Sequence, residues 1–173
     1  AKMKSEFLYH YTKRHGLKLR DRLVAFLPRY ASFAARFSGL MNLRDTVPGL
    51  AALSEKLLGF SARRTLPVWR RDIFHSETPA VGPVDGPEVV FLVDTFNRYF
   101  EPENARAAVN VLVAAGYRVH LPAATSGDRP LCCGRTFLAA GLIDEAKAEA
   151  ARALEALAPF AARGVPVVGL EPS

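Results

Sequence analysis

The chain has 173 residues, of which half are hydrophobic, and a net charge of +6. This composition supports a packed core and excludes a disordered chain. No run of about 18 apolar residues occurs and the first residues lack the apolar region of a secretory signal, so we expect a soluble, cytoplasmic protein.

The charge is divided unevenly along the chain. Residues 1–75 contain 15 Lys and Arg against 5 Asp and Glu, a net +10, whereas residues 76–173 contain 8 against 12, a net −4. Such a basic half indicates packing on an acidic neighbouring domain or subunit. Nucleic acid is not expected as a partner, because the basic residues are spread through predicted helices without a recognition motif.

The first 75 residues are predicted to be mainly helical. Apolar residues recur at helical spacing in four segments, at about 2–15, 19–27, 30–37 and 48–58. We expect the aromatic and leucine stripes of the last two segments to be buried, namely Tyr30, Phe33, Ala34, Phe37, Leu50, Leu53, Leu57 and Leu58.

Two irregular stretches follow these helices. Residues 60–72 alternate apolar residues with arginines and predict an extended arm, with Trp69 as its anchor. Residues 76–87 contain three prolines and two glycines and are predicted to be a linker. The expected organisation is therefore a basic helical segment over 1–75, the linker, and a second domain over 88–173.

The second domain has an alternating strand and helix pattern. Apolar, β-branched runs predict three strands at 88–93, 117–122 and 165–170, the first of them buried on both faces. Helices are predicted between the strands at 102–115, 135–140 and 143–162. Helical crossovers imply parallel strands. We predict an α/β fold with a small parallel, Rossmann-like sheet of βαβαβ order and an N-terminal helical extension.

The only cysteines, Cys132 and Cys133, are adjacent and lie just before a predicted helix. Neighbouring Cα atoms are about 3.8 Å apart, which is too short for a relaxed disulfide. The start of a helix, flanked by Arg129 and Arg135, favours thiolates. Gly134 permits a sharp turn that lets both sulfurs face one cavity. Thiolates suit iron–sulfur clusters or zinc, but two of them do not complete either site.

From these residues alone, several interpretations stay open. The cysteines are buried packing residues, cluster ligands, or a catalytic or redox thiol. His120 at a strand end is a ligand, a proton shuttle, or a rim histidine with a satisfied hydrogen bond. Asp94 and Asn97 cap a turn as readily as they contact a ligand. The carboxyl ends of parallel strands share one edge, so one rim is expected to collect residues 94–97, 122–125, 132–133 and 171–173.

Several motifs of this half resemble a known family. They are Ala-Gly-Tyr-Arg-Val at 115–119, Arg-Pro-Leu-Cys-Cys-Gly at 129–134 and the strand ending in Gly-Leu-Glu-Pro-Ser at 169–173. Together they resemble the cysteine-rich "CCG" domain of heterodisulfide reductase subunits and of glycolate, lactate and glycerol-3-phosphate oxidoreductases. The resemblance covers about residues 88–173 and matches Cys132, Cys133 and Gly134 to the family motif. It implies that these residues bind a cofactor and that the two cysteines are ligands of a 4Fe-4S cluster.

A longer fusion is also implied. Residues 93–104 are similar to large proteins that carry an FAD-linked oxidase domain, an α-helical ferredoxin domain and then this domain, and residues 3–8 and 42–45 resemble the segment after the ferredoxin cysteines. The resemblance implies an electron-transfer piece of a D-lactate, glycolate or D-2-hydroxyglutarate dehydrogenase, with FAD in an upstream domain. Its partners would be the FAD-linked oxidase and ferredoxin-like domains of the same chain, with peripheral contact to a membrane or electron acceptor.

The sequence also departs from that family. Many relatives have a cysteine in the turn after the first strand, where this chain has Asp94-Thr95-Phe96. We therefore expect a fragment that is truncated at its C-terminus, is inactive by itself and binds no cluster in isolation.

The alternative is an α/β docking module, with structural cysteines, whose basic helical arm binds an acidic partner.

Overall fold

The computed structural model describes residues 2–75, 78–125 and 129–170. They form two compact units, one from the described residues of 1–71 and 134–147 and the other from those of 72–133 and 148–173. The sequence-based division into 1–75, 76–87 and 88–173 stays a prediction. The expected rim residues 171–173 lie outside the described residues.

The first unit is helical. Its helices are α1 (Lys2–His15), α2 (Leu19–Ala25), α3 (Leu27–Arg36), α4 (Ser38–Thr46), α5 (Leu50–Leu58) and the short α8 (Arg135–Ala139). Pro28 lies in the first turn of α3, where its missing N–H costs nothing. The helices predicted near 2–15, 19–27, 30–37 and 48–58 are confirmed, whereas α4 was not predicted.

The centre of this unit is built from small residues and one ring. Phe137 of α8 is fully buried, meets Phe26 edge to face at a centroid distance of 5.2 Å, and lies under the guanidinium of Arg29. The buried residues of α3 are Leu27, Pro28, Ala31, Ala34 and Ala35.

The predicted burial of the aromatic and leucine stripes is wrong in part. Phe33 is 69% exposed, and Phe37, Leu53 and Leu57 are exposed as well. Helical spacing predicts that these residues share a stripe, but it does not say which stripe meets a neighbour. On α3 the alanines take the inward face, because small side chains let helices approach closely.

The arm over residues 60–71 has no helix or strand in the structure, as predicted. Asn42 of α4 holds it at Trp69: the Asn42 amide nitrogen donates to Trp69 O and the Trp69 N–H donates to Asn42 Oδ1, both at 2.9 Å. The Leu66 N–H donates to Asp45 Oδ2 at 3.0 Å. Side chains of α4 therefore hold the arm at Leu66 and Trp69 through hydrogen bonds to its backbone.

The second unit contains a four-stranded sheet. Its strands are β1 (Ala80–Val81), β2 (Glu88–Phe91), β3 (Arg118–His120) and β4 (Val167–Val168), and its helices are α6 (Thr95–Tyr99), α7 (Pro102–Ala114) and the greater part of α9 (Ile143–Ala161). The strand order is β1-β3-β2-β4. Both neighbours of β2 are parallel to it, which confirms the predicted parallel sheet.

One strand was not expected. β1 lies inside the predicted linker and pairs antiparallel with β3 through Ala80 and His120. A strand of two residues is too short to show a hydrophobic period in the sequence. Its partner, β3, also lies far along the chain, so no local pattern predicts the pairing. The apolar core of this unit packs α7 against the sheet and consists of Phe74, Val89, Phe91, Val93, Ala105, Val109, Val119 and Leu121.

Candidate functional site

A cavity of about 740 Å³ lies at the carboxyl ends of β2 and β3 in the second unit. Its walls come from residues 91–93 after β2, residues 120–125 after β3, residues 129–131 of the cysteine loop, and the last turns of α9. Of the residues predicted to share this rim, 122–125 line the cavity, whereas 94–97 and 132–133 do not. Crevices at this edge are where α/β sheets bind ligands.

Neither cysteine lines this cavity. The loop contributes Arg129, Pro130 and Leu131 to the wall, whereas Cys132 is buried, with 5% exposed, and Cys133 is exposed. The expectation that both sulfurs face one cavity is therefore wrong for this cavity.

The cysteines also precede the helix and are not in its first turn. α8 begins at Arg135, with Gly134 as the residue before it at φ 78°. Only glycine adopts this left-handed conformation readily, so the predicted sharp turn is present. The two cysteines form no disulfide.

A buried ion-pair network holds the cysteine loop to α9. Glu149 is 1% exposed. It accepts hydrogen bonds from Arg129 Nη1 at 3.0 Å, Arg129 Nη2 at 2.7 Å and Arg152 Nη1 at 2.9 Å. Arg152 Nη2 in turn donates to Arg129 O at 2.7 Å. The three side chains together carry a net charge of +1, and Arg129 lies three residues before Cys132.

From the sequence, Arg129 was expected to favour the thiolate form of the cysteines, and no role was expected for Glu149. The available signal was the spacing of Glu149 with Ala153 and Ala156, the buried residues of α9. A carboxylate on a buried face implies a cationic partner.

Arg98 of α6 is another residue that the sequence did not single out. Its Nη1 donates to Phe74 O at 2.9 Å, and its guanidinium lies 5.8 Å from the Phe74 ring centroid. Burial lowers the pKa of Arg98, with nearby Tyr99 and Asp94 acting in the opposite direction. Its Nε is buried without a hydrogen-bond partner in the described part of the chain.

The open question about Asp94 is resolved in favour of capping. Asp94 Oδ1 accepts the N–H groups of Phe96 at 2.8 Å and Asn97 at 3.0 Å, and its Oδ2 accepts from the Asn97 side chain. Asp94 is thus the N-cap of α6. Neither Asp94 nor Asn97 lines the cavity.

His120 is a rim histidine on the cavity wall. Its side chain is 12% exposed and its ring centroid lies 5.0 Å from that of Phe160. Nε2 is 3.5 Å from Glu88 Oε2, yet it makes no hydrogen bond within the described residues. The expected satisfied hydrogen bond is therefore not found at this nitrogen.

The described residues do not complete a metal or cluster site. Across residues 2–75, 78–125 and 129–170, no three His, Cys, Asp or Glu side chains come close enough together to hold a metal ion. The two thiols are fewer than the four thiolates that usually bind a 4Fe-4S cluster. None of the described helices is long and apolar enough to cross a membrane.

Comparison with known proteins gives one informative similarity. The chain is 29% identical, over 185 aligned positions, to a D-2-hydroxyglutarate dehydrogenase of Pseudomonas putida. The alignment covers 98% of this chain but 17% of that protein, so the chain spans less than a fifth of its relative's length. No protein-family model and no solved structure matches the chain.

Proposed function

We propose that this chain is the electron-transfer part of a longer FAD-dependent, iron–sulfur oxidoreductase that oxidises a D-2-hydroxy acid. The observation that carries the proposal is the similarity of nearly the whole chain to a short part of a D-2-hydroxyglutarate dehydrogenase. The adjacent cysteines support it, since residues 129–131 of the same loop line the cavity at the carboxyl edge of the sheet. FAD and the oxidation of the hydroxy acid are assigned to another domain of the same protein.

In this proposal Cys132 and Cys133 supply thiolates to an iron–sulfur cluster, or act as redox thiols beside one. A bound cluster would supply one-electron transfer. The remaining ligands come from other parts of the longer protein, since the described residues hold too few. The role of this chain is to present the loop, and the Arg129–Glu149–Arg152 network fixes the segment that leads into it.

An assay of the complete gene product tests the reaction. Its flavin should be reduced by D-2-hydroxyglutarate, D-lactate or glycolate under anaerobic conditions, and L-2-hydroxyglutarate is the matched control for the D configuration. If none of the three acids reduces the flavin, the proposed substrate class is wrong.

The isolated chain offers a second test. Anaerobic reconstitution of residues 1–173 with iron and sulfide should leave no stoichiometric cluster, because the ligand set is incomplete. Iron and acid-labile sulfide are then measured per chain. A stoichiometric cluster in the isolated chain would contradict the proposed incomplete ligand set.

A docking function is the second candidate, and the surface of the first unit favours it. This unit is basic and exposes large apolar side chains, among them Met3, Phe7, Phe33 and Leu40. Exposed apolar groups of this kind mark interaction surfaces. In this alternative the basic helical arm binds an acidic partner domain. Double substitution of Phe33 and Leu40 by Ser should then release that domain, and unchanged binding would reject the alternative.

A further inference from the structure

The cavity of the second unit has a mostly apolar wall that also contains arginine side chains. Most of its lining is apolar, including Phe91, Leu121, Leu131 and Phe160, and Arg98 is part of the same wall. A volume of about 740 Å³ lies within the range of small-molecule sites, which is roughly 300–1,000 Å³. The size and lining therefore suit an organic molecule better than a single ion.

The positive charge of Arg98 is not paired with a carboxylate within the described residues. Its one hydrogen-bond acceptor there is the neutral carbonyl of Phe74, and no described carboxylate forms an ion pair with it. The nearest acidic neighbour in sequence, Asp94, uses both oxygens on the backbone and side chain of its own turn. Buried charges in proteins are normally paired or hydrogen-bonded, since desolvating an unpaired charge is costly.

The other charged groups on the wall do not supply the missing partner. Arg129 is already held by Glu149, and that network is itself positive because Arg152 shares the same carboxylate. Glu155 lines the cavity from α9 but is exposed to solvent. His120 faces Glu88 through Nε2. The described wall thus leaves a positive site next to apolar surface.

We propose that this cavity binds a small organic carboxylate, with its carboxylate on the Arg98 guanidinium and its apolar part against Phe91, Leu121 and Phe160. A guanidinium matches a carboxylate through two parallel hydrogen bonds. The site lies within one compact unit and uses neither cysteine. A failure of this proposal would therefore leave the proposed electron-transfer function unaffected, and the reverse also holds.

Benzoate and benzamide are matched probes for this site. They have the same ring and nearly the same shape, and they differ in charge. Titration of the 173-residue chain, followed by amide chemical shifts in NMR spectra, should show benzoate binding at least tenfold tighter than benzamide. The shifts should be centred on residues 91–93 and 121–125. Equal binding of the two probes, no binding of benzoate, or shifts centred elsewhere would overturn the proposal.

Substitution of the cation supplies the second arm. Arg98→Met should abolish benzoate binding. Arg106→Gln should leave it unchanged, because Arg106 is an exposed arginine of neighbouring α7 that pairs with Asp72 and does not line the cavity. If Arg98→Met does not fold, Arg98→Lys keeps the charge but loses the planar fork, and benzoate should bind about tenfold more weakly. Wild-type affinity in a folded Arg98 variant would reject the site.

Discussion

Arg129 and Glu149 form a two-point ion pair, with Nη1–Oε2 at 3.0 Å and Nη2–Oε1 at 2.7 Å, that joins the cysteine loop to α9. The carboxylate is almost fully buried, whereas both arginines that contact it retain some solvent access. Removing one partner of a buried pair leaves the other charges uncompensated. Glu149 is therefore the side chain on which the position of this loop depends most.

Glu149→Gln should lower the free energy of unfolding by about 2–3 kcal/mol, less than for a fully buried pair because the arginines are partly solvated. Urea denaturation followed by circular dichroism measures the change. Glu155→Gln, on the exposed side of the same helix, is the control and should change stability by less than about 0.5 kcal/mol. Equal effects of the two substitutions would show that the network does not hold the loop.

The two thiols should differ in reactivity. Cys133 is exposed and Cys132 is buried, so iodoacetamide should modify Cys133 at least about tenfold faster in the folded chain, as measured by mass spectrometry of peptides. In concentrated urea the two rates should become similar. Resistance of both cysteines in the folded chain would instead favour the docking function with structural cysteines.

Gly141→Ala should destabilise the first unit strongly. Gly141 has φ 77°, and a Cβ there would lie 2.5 Å from the carbonyl carbon of Leu8. Gly16→Ala is the matched control, since Gly16 has φ 74° and nothing within 4 Å of a Cβ. The control should lose about 1 kcal/mol from left-handed strain, and Gly141→Ala at least about 2 kcal/mol more. Similar losses would mean that α1 does not approach Gly141 closely.

Asn42→Ala should free the arm, because one amide side chain satisfies both backbone groups of Trp69. We expect faster tryptic cleavage after Arg63 and Arg64 under native conditions. Asn110→Ala, on the exposed face of α7, should leave the cleavage rate unchanged. An unchanged rate in Asn42→Ala would indicate that other contacts hold the arm.

Features with a local cause could be predicted from the sequence. The run after residue 88 is apolar at every position and forms a strand buried at Val89, Val90 and Phe91. Asp94 caps the next helix through N–H groups two and three residues away. In both cases the residues that decide the structure lie within a few positions of each other.

Features decided by distant partners could not be predicted. Glu149 is an ordinary surface residue until Arg129, 20 positions earlier, is placed beside it. β1 forms by pairing with β3, Ala80 with His120 and Val81 with Val119. The exposure of Phe33 depends on which face of α3 meets its neighbours, and the spacing of apolar residues does not contain that information.

The most direct test of the account measures iron, acid-labile sulfide and flavin in the complete gene product, with and without the double substitution of Cys132 and Cys133 by Ser. If the pair ligates a cluster, the variant should lose one cluster's worth of iron and sulfide, keep its flavin, and still reduce that flavin with the hydroxy acid. Iron and sulfide contents equal to those of the wild type would contradict a role for this loop in binding a cluster.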